Sequence, residues 1–169
     1  EIWDRESTKA AIDASLQGGH RVISCIHTDS AIECIQWLVQ TGLRRDIIAN
    51  SLSGIVVQRL LRKLCLNCKA SQTLSREIRE GVGFPLDTQT QWLEATGCTQ
   101  CRYTGYQGRT GIFEIIPINE DLRDAIKKEA TPVLIRKSIR NMELSTVRRS
   151  GIKKASLGIT SVSEVLRVT

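Results

Sequence analysis

Two Cys-x-x-Cys pairs, Cys65 with Cys68 and Cys98 with Cys101, stand twenty-nine residues apart. A Cys-x-x-Cys turn lets both sulfurs face one metal ion without backbone strain. Four thiolates at this spacing can therefore close a tetrahedral site around a single zinc ion. Such a site has no open coordination position, so its zinc holds structure and does not activate water. Thiol–disulfide chemistry is the competing use of a lone pair, but two pairs at the base of one loop favour metal. Zinc deaminase chemistry fits poorly, because no His-x-Glu precedes a Pro-Cys-x-x-Cys. The remaining thiols, Cys25 and Cys34, are isolated. Metal-type spacing beside isolated thiols points to a reducing cytoplasm, and a chain of this size needs no disulfide framework.

The elements around these residues follow from periodicity. Ser7 or Thr8 is placed to cap a helix over 8–17, with Ala11, Ile12 and Leu16 on its apolar face and Gly18-Gly19 ending it. The β-branched run at 21–26 reads as a buried strand, flanked by His20 and His27. Asp29 is placed to cap a helix running to about Gln40, with Gly42 at its left-handed terminus. A shorter helix over 44–52 leads to a strand from Ile55 through Leu61. Helix, strand, helix, helix, strand is the order of an α/β sheet with covering helices. From Cys65 to about Gly111 the periodicity fades, leaving a small core of Phe84, Leu86, Trp92 and Leu93. Helices return at 121–129, 132–141, 146–157 and 161–167. The expected organisation is thus an α/β part over 1–63, a tetracysteine segment over 64–112 and a helical segment over 113–169.

The 169 residues carry a net charge of +6, and most of the excess lies late: residues 113–169 hold 11 basic and 7 acidic side chains. That bias is too diffuse to argue for nucleic acid by itself. No apolar run approaches the roughly 18 residues of a membrane span. Residues 1–20 are charged and helix-like, unlike a signal peptide. The only methionine is Met142, and the abrupt start at Glu1 reads as part of something longer.

Three stretches carry a family resemblance: Glu-Ile-Trp-Asp-Arg-Glu-Ser (1–7), Gly-Gly-His-Arg-Val-Ile-Ser-Cys-Ile-His-Thr-Asp-Ser-Ala (18–31) and Gln-Arg-Leu-Leu-Arg-Lys-Leu-Cys (58–65). They resemble the secretion ATPase superfamily, the hexameric motors of type II secretion, type IV pili and DNA uptake. Cys-Thr-Gln-Cys-Arg-Tyr-Thr-Gly-Tyr-Gln-Gly-Arg-Thr-Gly-Ile-Phe-Glu (98–114) is similar to the family's second zinc knuckle and exit strand. The zinc segment places the likeness in the assembly and type II secretion branch.

The resemblance implies the C-terminal portion of a RecA-like P-loop NTPase domain, then the tetracysteine zinc segment and the C-terminal helical segment. It gives Glu1 the role of the Walker B glutamate, facing the Mg²⁺ of bound ATP; a carboxylate suits that hard, oxygen-liganded cation. His20 and His27 match the histidine box. His27, at the carboxyl end of the run 21–26, is expected to sense the γ-phosphate or couple it to a neighbouring subunit. Arg59 and Arg62, with Gln58, match the Gln-Arg-Leu-x-Arg segment, where guanidinium forks suit phosphate or carboxylate. Weak surface ion pairs are the other reading of these arginines. Gly108, Arg109 and Gly111 match Gly-Arg-Thr-Gly, with glycine permitting a tight turn. Cys65, Cys68, Cys98 and Cys101 are the structural zinc ligands.

Departures matter too. Trp3 stands where the family has Arg, Gly18 where it has Thr, and Asp29 where it has Asn. The sequence holds no Gly-x-x-x-x-Gly-Lys-[Ser/Thr], so the 169 residues alone are expected not to hydrolyse ATP. The implied setting is a bacterial cytoplasmic homo-hexamer, peripheral to the inner membrane through platform proteins, with nucleic acid not a partner. The alternative is a non-enzymatic zinc-ribbon module binding nucleic acid or protein. The stretch between the knuckles carries few basic and aromatic residues, which weighs against it.

Overall fold

A computed structural model describes every residue except Phe84, Asp87 and Thr88. The chain is mixed α/β. It comprises α1 (Arg5–Leu16), α2 (Ala31–Gln40), α3 (Arg45–Ser51), β1 (Gly54–Leu64), β2 (Lys69–Gln72), α4 (Arg76–Val82), β3 (Trp92–Ala95), β4 (Tyr106–Pro117), α5 (Glu120–Lys128), α6 (Pro132–Arg140), α7 (Val147–Ser156) and α8 (Val162–Val168). Two compact units emerge, one of residues 1–57 and 115–144, the other of 58–114 and 145–169. β1 pairs with β4, β2 pairs with β3, and β1 and β4 each contribute to both units.

In the first unit the helices bury one apolar stripe each. Ile35 and Leu38 of α2, Ile48 and Ala49 of α3, Leu122 and Ile126 of α5 and Ile135 of α6 form a common core with Ile55 and Ile116. α1 begins earlier than its sequence suggested. Asp4, not Ser7 or Thr8, caps it: the Ser7 N–H donates to Asp4 Oδ1 at 2.8 Å, and the Asp4 N–H donates back to Ser7 Oγ at 3.1 Å. A carboxylate is the stronger acceptor for orphan helix donors. Thr8 is instead buried inside the first turn, its hydroxyl donating to the Asp4 carbonyl at 2.6 Å. Ile12 is buried as expected, but Leu16 is exposed. α2 is capped by Ser30, one residue past the expected Asp29; Glu33 Oε2 accepts the Asp29 N–H at 2.9 Å. Gly42 follows at φ 77°, as the sequence indicated.

The run 21–26 is not a buried strand. Its one backbone bond to another segment among the described residues is from Ile2 N–H to Cys25 C=O, at 3.1 Å. Ile23 is 96% exposed. An extended segment becomes a strand only when neighbours complete its ladder, and among the described residues Ile2 alone makes a backbone bond to it from another segment.

The second unit gathers Leu61, Leu74, Val82, Trp92, Ile112, Ile152, Ala155, Val162 and Val165 into one core. The segment between the cysteine pairs is therefore more ordered than its fading periodicity suggested. β2 and β3 pair antiparallel, from Lys69↔Ala95 to Gln72↔Trp92, and α4 lies between them in sequence. Trp92 and Leu86 do not form a separate small core; they join α7 and α8. Phe84, also expected there, lies outside the described residues. The four C-terminal helices fall within a residue or two of their expected bounds. Gly108 and Gly111 lie inside β4, not in a turn before it.

Ile35 is fully buried in the first core. Ile35→Ala should lower the stability of that unit by about 3 kcal/mol. Amide exchange at residues 31–51 and 120–140 should accelerate more than at 147–168, as hydrogen-exchange mass spectrometry would show.

Candidate metal centre and candidate nucleotide-facing edge

Cys65 follows β1 directly and Cys68 precedes β2; Cys98 and Cys101 bracket a single 3-10 turn. The four sulfurs all lie within 4.8 Å of one another. Cys65 Sγ is 3.9 Å from Cys98 Sγ, and Cys68 and Cys98 Sγ each lie 3.8 Å from Cys101 Sγ. A disulfide needs about 2.05 Å, so these are separate thiols. A tetrahedron with metal–sulfur bonds of about 2.3 Å has sulfur–sulfur edges of about 3.8 Å. The cluster fits one thiophilic ion.

Backbone donors surround it. The N–H groups of Cys98 and Gly105 both donate to Cys101 Sγ at 3.2 Å. Burial opposes ionisation of the Cys101 thiol, but these donors outweigh it and bring the thiol down to about 6. Cys68 is pushed up by burial, to about 11. Gly105 has φ 74°, and a Cβ there would sit 2.5 Å from Ala95 Cβ, so only glycine brings this N–H to the sulfur. Cys34 is a core residue whose thiol burial raises to about 11; it is an inert hydrophobe by the usual rule.

At the other candidate site, the first unit brings Glu1 and His27 together across 26 positions of sequence. Glu1 Oε1 lies 3.6 Å from His27 Nε2, with 73% of the His27 side chain and 43% of the Glu1 side chain exposed. That is ion-pair range rather than a formed hydrogen bond. The Ile2–Cys25 backbone bond sets the two segments side by side. Trp3 completes the group: its ring centroid is 5.5 Å from that of His27, with planes tilted by 34°. His20 stands apart. It lies exposed in the turn after α1, its N–H donating to the Ala14 carbonyl at 3.2 Å. No contact among the described residues joins it to Glu1 or His27.

Arg59 and Arg62 both lie on β1 in the second unit. Arg62 is engaged by a residue that sequence reasoning missed. Glu164, 1% exposed, accepts three bonds from it: the backbone N–H at 3.0 Å, Nε at 3.0 Å and Nη2 at 2.7 Å. Arg167 adds two more at 2.8 Å. The Arg62 guanidinium also lies 4.1 Å over the Tyr106 ring, whose hydroxyl meets Ser161 Oγ at 2.8 Å. A buried carboxylate is costly unless paired and hydrogen-bonded, and five donor contacts satisfy this one. The available signal was Ser161-x-x-Glu164, a capping-box pattern. Ser161 Oγ does accept the Glu164 N–H at 3.2 Å, but the carboxylate turns to the arginines.

Burial works against the Glu164 charge, yet the bonds from Arg167 and Arg62 hold its carboxyl down at about 2, against an ordinary 4.5. A group lowered on folding stabilises the fold above its unfolded value. That contribution should be lost as pH falls from about 4.5 towards 2. Acid titration of the wild type should show the second unit losing stability across this window. Glu164→Gln should flatten the loss while costing about 3 kcal/mol at neutral pH, because two guanidiniums lose their counter-charge.

No helix among the described residues is long and apolar enough to cross a membrane. The type II/IV secretion system protein family matches residues 1–167. Type II secretion system protein E of Aeromonas hydrophila is 40% identical over 169 residues, covering all of this chain and 33% of the relative. Type II secretion system ATPase E of Vibrio cholerae is 38% identical over the same span and share. Type IV pilus assembly ATPase PilB of Pseudomonas aeruginosa is 39% identical over 171 residues, covering all of this chain and 30% of the relative. The chain thus spans about a third of the length of these relatives, and with a match over 167 of its 169 residues it belongs to the type II/IV secretion system protein family.

Proposed function

We propose that this chain is the C-terminal part of a RecA-like ATPase that powers type II protein secretion or type IV pilus assembly. The observation that carries this reading is the meeting of Glu1 and His27 at 3.6 Å. A carboxylate and an imidazole from segments far apart in sequence come together on an open face, where a nucleotide's metal and phosphates can be met. In this reading Glu1 faces Mg²⁺ through oxygen or bound water, and the His27 imidazole donates toward the terminal phosphate. His20 and Arg59 are assigned the supporting polar roles that the family pattern gives them. Arg62, its fork on Glu164, serves the fold in our proposal. ATP supplies the phosphoanhydride whose hydrolysis drives the motor.

The four cysteines are proposed to hold structural Zn²⁺. The sulfur spacing supports this, as does the all-thiolate donor set, which suits a borderline-soft ion. The assembled protein is proposed to be a cytoplasmic homo-hexamer acting on inner-membrane platform proteins.

Two measurements test the reading. A longer protein containing this chain and a Gly-x-x-x-x-Gly-Lys-[Ser/Thr] loop should hydrolyse ATP, and Glu1→Gln should lower kcat by about 100-fold or more. The 169 residues alone should show no turnover above a blank. Wild-type turnover unaffected by Glu1→Gln would overturn the assignment. For the metal, Cys98→Ser should reduce bound zinc well below one per chain and loosen residues 65–111 first, read by metal analysis and hydrogen exchange. Full zinc retention in that variant would sink the tetracysteine site.

A further inference from the structure

Trp3 is the residue of the Glu1–His27 face that nothing so far has given a task. It is 65% exposed, so it adds little to the core. Exposure of a single apolar side chain is ordinary on a protein surface; the ring contact is what sets Trp3 apart. Its ring lies against His27, with centroids 5.5 Å apart and planes 34° from parallel. That separation falls within the range in which aromatic pairs attract beyond simple burial.

The backbone on both sides of this contact is pinned. Ile2 N–H donates to the Cys25 carbonyl at 3.1 Å, two residues from His27. Trp3 N–H donates to Ser7 Oγ at 3.1 Å, and Asp4 directly caps α1. The indole is thus carried by a fixed helix start and set against an imidazole that is otherwise largely exposed. An exposed imidazole samples several χ1 and χ2 states. A ring in contact with it removes part of that freedom, while Nε2 stays 3.6 Å from the Glu1 carboxylate.

We infer that Trp3 is a positioning residue, holding the His27 imidazole edge-on to Glu1 so that its nitrogen faces the phosphate-bearing side of the site. The inference rests on the proposed function for what His27 then does. The ring contact itself does not depend on that reading. Trp3 acts through His27 and needs no contact with nucleotide. The required property is a flat aromatic face, so phenylalanine should substitute in part while alanine should not.

The contact is tested first on the 169-residue protein. With histidine labelled at Cε1, the ring current of Trp3 should place the His27 proton upfield, and His20→Gln identifies which of the two signals is which. Trp3→Ala should move the His27 signal to the position of an exposed imidazole without loss of α1, and Trp3→Phe should retain part of the displacement. An unmoved His27 signal in Trp3→Ala overturns the inference. Unfolding of α1 in that variant does so as well, since it would make Trp3 a fold residue.

The consequence is tested in the longer ATP-hydrolysing protein. Trp3→Ala should lower kcat on the order of tenfold with KM for ATP little changed. Phenylalanine should recover most of the rate. In a His27→Ala background the same change should cost nothing further, because coupled residues are not additive. Equal kcat for wild type and Trp3→Ala, or a full additional loss without His27, overturns the positioning role. Absence of ATP hydrolysis in the wild type would instead defeat the proposed function, with the resonance experiment still deciding the Trp3–His27 contact.

Discussion

Cys65 follows directly on the last residue of β1, and Tyr106, the first of β4, comes five residues after Cys101. Drawing the four sulfurs together therefore fixes where one strand ends and its partner begins. The backbone shows the same closure: Cys65 N–H donates to the Gly105 carbonyl at 2.9 Å, and Leu64 N–H donates to that of Ile159 at 2.9 Å. A chain that leaves at Leu64 and returns at Tyr106 has a loop-closure cost to offset. The β2/β3 pairing offsets it at the base of the loop, and an ion held by the four sulfurs, as proposed, would add to that. Without that closure Trp92 has no reason to reach α7 and α8.

The Glu164 cluster fastens α8 to the same strand. Arg62 lies three residues before Cys65, so the buried carboxylate and the metal cluster act on one short stretch of β1. Their physics differs. With a metal bound as proposed, the sulfur site would draw its strength from coordination, and only while its thiolates persist. The carboxylate depends on two guanidiniums and the desolvation they offset. A strand held by both resists loss of either better than one held by a single device.

Much of this was legible in the sequence, and the reasons are local. α2, α5, α6 and α7 carry a cap residue, a 3.6-residue apolar stripe and a terminator within one window, and their bounds were readable to a residue or two. The cysteine pairs were readable because the metal's geometry permits few spacings. The run 21–26 has strand composition, but a strand is defined by ladder partners, and among the described residues only Ile2 bonds to its backbone from another segment. β2 and β3 are four residues each, too short for alternation to rise above background. Glu164 was hidden for a different reason. Its partners lie 102 positions away and three positions away, and nothing in a local pattern says which arginine a buried carboxylate will choose.

Arg62 and His27 show how a motif and an environment divide the labour of assignment. Both belong to conspicuous patterns, and both were candidates for phosphate. Arg62 is already answered by a carboxylate with five donor bonds and a ring beneath its guanidinium, an arrangement that would have to be broken to free the fork. Among the described residues His27 has one loose ion-pair partner, and its side chain is largely exposed. A group that binds ligand needs unused valence in its resting geometry, because each satisfied bond must be replaced before a new one adds affinity. By that criterion the open carboxylate–imidazole edge of the first unit fits the proposed ligand-facing role better than Arg62 does.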